Sequence, residues 1–157
     1  MVEHASALTD FEDLDAVKRV HSGEITDLLT ALTGCDHVAM APIGILRFSE
    51  RAGTNANYDN SHPARFVHVD MARDAAASAR AQSAPEDREL IRSAQYNVWR
   101  VLSDPPQDVP LGLCDFTSIA HGDLLPCQAI FDPLNGSPEW GFPNYLLQYN
   151  QAHRWFY

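Results

Sequence analysis

Apolar positions in residues 22–34 fall at Ile25, Leu28, Leu29 and Leu32, the i, i+3, i+4, i+7 spacing of one helical face. Ser22 has the chemistry of an N-cap, Glu24 suits a first helical turn, and Gly34 supplies the C-terminal stop. The leucine stripe is expected to pack as core. Upstream, the acidic residues 10–17 predict a short helix. Residues 37–48 are apolar and read as extended, with Pro42 and Gly44 forcing an edge or a bulge. Residues 49–63, with Asn55, Asn57 and Asn60, read as a mobile polar loop, either a plain connector or a lid over what the next strand carries.

That next strand is R-F-V-H-V, residues 65–69. Period two then sends His68 and Asp70 to the same face. Residues 71–82, M-A-R-D-A-A-A-S-A-R-A-Q, favour helix. Pro85 breaks the pattern, and residues 86–94 predict a second helix. Residues 95–102 alternate as a strand, with Trp99 in the core and Arg100 on the opposite face. Asp104-Pro105-Pro106 closes it. Another strand is expected over 110–119, a turn at His121-Gly122-Asp123, a loop over 132–143 with three Pro and two Gly, and a strand over 144–150. The closing run His153-Arg154-Trp155-Phe156-Tyr157 is expected to pair within a sheet, because an exposed apolar edge is a liability. Short strands between turn-rich loops, preceded by helices, predict an α+β fold. Its expected centre is a jelly-roll or cupin-like sheet within a single domain spanning 1–157.

Composition narrows the partners. The net charge of −10 argues against a nucleic-acid or anionic-membrane surface. No apolar run approaches a membrane span, and the acidic N-terminus lacks a signal-peptide pattern, so a cytoplasmic location is expected. Cys35, Cys114 and Cys127 are odd in number and lack C-x-x-C spacing, which reads as free thiols in a reducing compartment.

The candidate chemistry lies at His68 and Asp70. An imidazole and a carboxylate side by side on one strand supply two thirds of a 2-His-1-carboxylate facial triad, the arrangement that holds non-heme Fe(II) and leaves the opposite positions open. A His-x-Asp pair is a short motif, and a second one occurs at His121 and Asp123. The bland alternative is a strand-edge ion pair or a histidine satisfied by a hydrogen bond. Context separates the two pairs: Phe66, Val67 and Val69 flank His68, whereas Gly122 in a turn follows His121. Zinc hydrolysis has no H-E-x-x-H motif behind it, and no Cys has the setting of an activated nucleophile.

Several segments, in order, carry a family resemblance. They are T-G-C-D-H-V at 33–38, V-H-V-D ending at Asp70, N-V-W-R at 97–100, D-V-P-L-G-L-C-D at 108–115, Asp123-Leu124, and Y-L-L-Q-Y-N-Q-A-H-R-W-F-Y at 145–157. Together they resemble the AsaB/CmcJ-type hydroxylase/desaturase family over residues 10–157. The resemblance implies a double-stranded β-helix dioxygenase of secondary metabolite biosynthesis, with Fe(II) as metal and 2-oxoglutarate as co-substrate. It would act on a small molecule by hydroxylation or desaturation. Under it, His68 and Asp70 are the first two iron ligands, and Asn97, Arg100, His153 and Arg154 are candidate catalytic or site-lining residues. Arg154 is also the candidate contact for the co-substrate carboxylate. His153 and His121 are the histidines within the chain that could complete the triad; the family pattern argues against His121.

The chain departs from that pattern at Val101, where the family has Pro. It also lacks the family's earlier strand region and the later segment in which a distal histidine and an arginine are expected. The expectation is therefore a partial oxygenase-like domain with unpaired sheet edges that favour self-association or a partner chain. The alternative is a truncated, non-catalytic homologue acting as a structural or heteromeric partner.

Overall fold

The computed structural model describes residues 2–40, 46–49, 51, 62–87, 89–131 and 140–157. It divides into two compact units, Met1–Arg47 and Phe48–Tyr157.

The first unit is one continuous helical run: α1 (Leu14–Ala16), a wide π turn (Val17–His21) and α2 (Ser22–Thr33). Asp13 starts it, its Oδ1 accepting from the backbone N–H groups of Asp15 at 3.1 Å and Ala16 at 2.9 Å. Those donors have no partner within the first turn, which is why a carboxylate is favoured there. Ser22 is therefore not a cap; at φ −61° and ψ −40° it is an interior helical residue. Gly34 does end the helix, with φ 67° and its N–H on Thr30 O at 2.9 Å. Its left-handed conformation suits a residue without Cβ. Ala16, Val17 and Ile25 are buried, but Leu32 is 56% exposed, so the leucine stripe is core only in part. Glu24 takes hydrogen bonds from Ser6 Oγ at 2.5 Å and Ala7 N at 2.6 Å, fastening the preceding segment to α2. The Ser6 hydroxyl chiefly, then the Ala7 amide, hold the Glu24 carboxyl below its ordinary range.

The second unit holds β1 (His68–Val69), α3 (Arg73–Gln82), β2 (Leu113–Cys114), β3 (Leu124–Phe131), β4 (Trp140–Leu147) and β5 (Trp155–Phe156). A three-stranded antiparallel sheet runs in the order β1-β4-β3, and β2 and β5 form a separate antiparallel pair. His68 stands opposite Leu146 and Val69 opposite Tyr145. Two further bonds fasten this region to β4: Leu147 N donates to Val67 O at 3.1 Å, and Ala72 N to Pro143 O at 2.9 Å. The helix α3 follows at once, as its alanine-rich sequence predicts. The terminal aromatic run pairs as expected, through Trp155 opposite Cys114 and Phe156 opposite Leu113.

Several expectations change. The strand of 65–69 shortens to His68–Val69. The described residues of 86–94 are not helical. The Arg80 guanidinium instead takes the Leu90 carbonyl at 2.6 Å and the Ile91 carbonyl at 3.3 Å, acceptors a helix would have used. Residues 95–102 join no ladder, and Trp99 is 48% exposed rather than core. Only Leu113–Cys114 of 110–119 is strand, because Asp115 accepts from Thr117 N at 2.9 Å and turns the chain into a 3-10 helix at Phe116–Ser118. The loop expected over 132–143 gives way to strand at Trp140–Pro143, where full pairing with β3 overrides the Pro and Gly. The bulge at Pro42 and Gly44, the 132–139 part of that loop and most of the 49–63 loop lie outside the described residues. Among the described residues the class is α+β with two small antiparallel sheets, and no helix is long and apolar enough to cross a membrane.

Gly141 stands opposite Ile130, and a Cβ added there would collide with the Ala129 carbonyl oxygen. Gly141→Ala is expected to destabilise the chain by about 1–3 kcal/mol. Gly122→Ala, with nothing near the added atom, should stay within about 0.5 kcal/mol. Urea unfolding of both variants checks the contrast.

Candidate metal centre

His68 and Asp70 come together as period two requires, with His68 Nε2 3.2 Å from Asp70 Oδ1. The other ring nitrogen, Nδ1, lies 2.9 Å from the Phe66 carbonyl oxygen. A carbonyl only accepts, so Nδ1 carries the hydrogen, and in a neutral ring Nε2 then presents a lone pair. That lone pair faces a carboxylate oxygen, which also presents one. Two acceptors at this distance need a proton or a cation between them. A proton on Nε2 makes the pair an ion pair; with a cation in its place, the Nδ1–H bond to a backbone carbonyl would be the outer support usual for a metal-binding histidine. His68 and Asp70 are 31% and 44% exposed, so the position is open to an incoming ion.

Asn97 belongs to the same cluster, its side-chain amide donating to Asp70 Oδ2. That bond leaves Oδ1 for His68 and fixes the carboxylate's rotation. Arg100 is half-buried. On the other side of His68 lies an open pocket of about 180 Å³, lined mainly by apolar residues of β1, β2, β4 and the Phe116–Ile119 turn. Among the described residues no group of three His, Cys, Asp or Glu side chains is arranged to hold a metal.

The remaining sequence candidates are held elsewhere. His153 is buried, its Nε2 3.0 Å from Asp123 Oδ2. The same carboxylate accepts from Ala120 N at 2.9 Å and from Asn150 Nδ2 at 3.3 Å. The Ala120 amide first, then His153, hold the Asp123 carboxyl below its ordinary range. Arg154 places Nε at 3.0 Å and Nη2 at 2.6 Å from Asp115 Oδ2, with Nη2 also 2.8 Å from Thr117 Oγ1. Asp115 is lowered to about 2, the Thr117 hydroxyl contributing most and Arg154 next. His121 is exposed on a 3-10 turn, His121–Asp123. Sequence reasoning assigned no partners to His153 and Arg154. The signals were Asp115, two residues before a Thr at the start of a turn, and Asp123, three residues after Ala120.

Comparison with known proteins fits this geometry. A family profile described as an oxidoreductase/YMDC permease-like domain matches residues 1–157, and the chain belongs to that family. The chain is a distant homologue of fungal Fe(II)/2-oxoglutarate-dependent dioxygenases, as the motif resemblance implies. It is 24% identical to alpha-ketoglutarate-dependent dioxygenase phiK of a fungal species over 163 aligned positions, covering all of this chain and 57% of that protein. It is 27% identical to Fe(II)/2-oxoglutarate-dependent dioxygenase nvfI of Aspergillus novofumigatus over 150 positions, covering 93% of this chain and 50% of that one. The chain spans about half the length of these relatives.

Two outcomes follow from the geometry. Asn97→Ala should weaken divalent metal binding about 10- to 100-fold while leaving the fold intact, checked by calorimetric titration and circular dichroism. Asp115 is more acidic folded than unfolded, so its ionised form adds stability above about pH 4. That contribution disappears as the pH falls through about 2. Asp115→Asn should therefore flatten the acid limb of the melting-temperature profile between those values, a change read by thermal melts at stepped pH.

Proposed function

We propose that this chain carries the first two iron ligands of an Fe(II)/2-oxoglutarate dioxygenase, His68 and Asp70, within a double-stranded β-helix. The reaction is hydroxylation or desaturation of a small secondary-metabolite substrate. One observation carries the reading: His68 Nε2 faces Asp70 Oδ1 at 3.2 Å while Nδ1 is occupied by the Phe66 carbonyl. The names of the two relatives supply the metal and the co-substrate. When bound, the iron would supply the oxidising power that breaks a substrate C–H bond. The chain's own residues do the rest. His68 and Asp70 would hold the metal, Asn97 orients Asp70, and the apolar pocket that His68 borders offers a seat for an apolar part of the substrate. Arg154 can anchor the co-substrate only by giving up its two-pronged bond to Asp115.

That engaged arginine, with no third ligand grouped with the pair among the described residues, favours a second reading: a non-catalytic homologue that keeps the scaffold and serves as a structural or heteromeric partner. Anaerobic Fe(II) titration separates the two. The first reading expects His68-dependent Fe(II) binding, a visible charge-transfer band when 2-oxoglutarate is added, and loss of both in His68→Ala. Iron binding indifferent to His68→Ala would sink the first reading. Weak His68-dependent binding with no band would support the second.

A further inference from the structure

We infer that the pocket beside His68 recognises a neutral hydrocarbon group about the size of a phenyl ring or a short branched chain. The inference rests on the metal-site reading for its purpose, but on different residues for its content. The pocket brings together Val67 and Val69 at β1, Leu113 and Cys114 of β2, Ile119, and Leu147 at the end of β4. Among the described residues no Lys, Arg, Asp or Glu lines it. A charged group placed there would give up its hydration with nothing to replace it. Cys114 adds a soft, polarisable contact suited to an aromatic edge.

Size sets the second limit. The volume of about 180 Å³ slightly exceeds the roughly 150 Å³ of a dry apolar cavity that accepts benzene. It falls below the roughly 300 Å³ at which pockets begin to hold whole drug-sized ligands. The site therefore grips one moiety of a larger substrate. Two of its walls, Leu113 at 58% and Phe116 at 69% exposure, keep apolar surface against water. Covering that surface drives binding. His68 also contributes to the lining, so the pocket adjoins the strand that carries the candidate metal ligands. The ligand class is thus one that presents an apolar ring or branch, rather than a carboxylate or amine, to this pocket.

The test is a methyl-resolved NMR titration of the full chain with toluene, benzoate and benzylammonium as probes. Toluene is expected to shift the methyl signals of Val67, Val69, Leu113, Ile119 and Leu147 saturably, with the two charged probes at least tenfold weaker. Leu113→Ser and Val67→Ser, both at exposed positions, should each weaken toluene binding at least fivefold, and their methyl spectra report directly that the fold persists. Asp70→Asn lies outside the lining and should abolish metal binding while leaving toluene binding unchanged. Equal binding of benzoate, or shifts confined to other methyl groups, would overturn the inference and leave the metal site standing. Toluene binding without any metal binding would do the reverse.

Discussion

The candidate site depends on the pairing of β4 with its two neighbours. On one side β4 runs antiparallel to the full length of β3, from Leu124 opposite Leu147 to Phe131 opposite Trp140. On the other it holds only His68 and Val69, helped by the Val67 carbonyl and the Ala72 amide. The strand bearing the metal-binding candidates is too short to define its own geometry. Its position is borrowed from a hairpin whose register is set by eight pairs. Register matters here because a slip of one residue would turn His68 and Asp70 together to the opposite face.

Among the described residues of the second unit, charge falls in local pairs rather than one pooled centre. His68 meets Asp70, His153 meets Asp123, and Arg154 meets Asp115. The last two tie the C-terminal segment back onto turns that precede it, and Gln148 N adds a bond to the Asp123 carbonyl at 2.8 Å. The first pair differs in being partly exposed and in having His68 among the residues that line an apolar pocket.

What the sequence makes legible follows from the range of the interactions involved. Period two brings His68 and Asp70 together, alanine content predicts α3, and Gly34 marks a helix end, all from neighbours along the chain. The failures come where a distant partner intervenes. Arg80 claims the carbonyls of Leu90 and Ile91 and removes a helix that propensity favours. Pairing with β3 draws Gly141 and Pro143 into a strand, and that partner strand itself contains Pro126. The bond from Asn97 to Asp70 joins residues 27 apart with α3 between them, and no periodicity forecasts it. Family resemblance reached the homologous dioxygenases through an ordered series of motifs rather than through any one contact.

The wide turn at Val17–His21 has a consequence for helical phase. Val17 and Ile25 are both buried, yet at roughly 100° per residue an unbroken α-helix would place positions eight apart about 80° out of step. A π turn takes one residue out of that count. Seven steps return to within about 20° of the starting face. The extra residue therefore works as a phase corrector, joining two apolar stripes that a fixed 3.6-residue period reads as separate helices. The apparent boundary at Ser22 is where the angular count was reset; the helix itself continues through it.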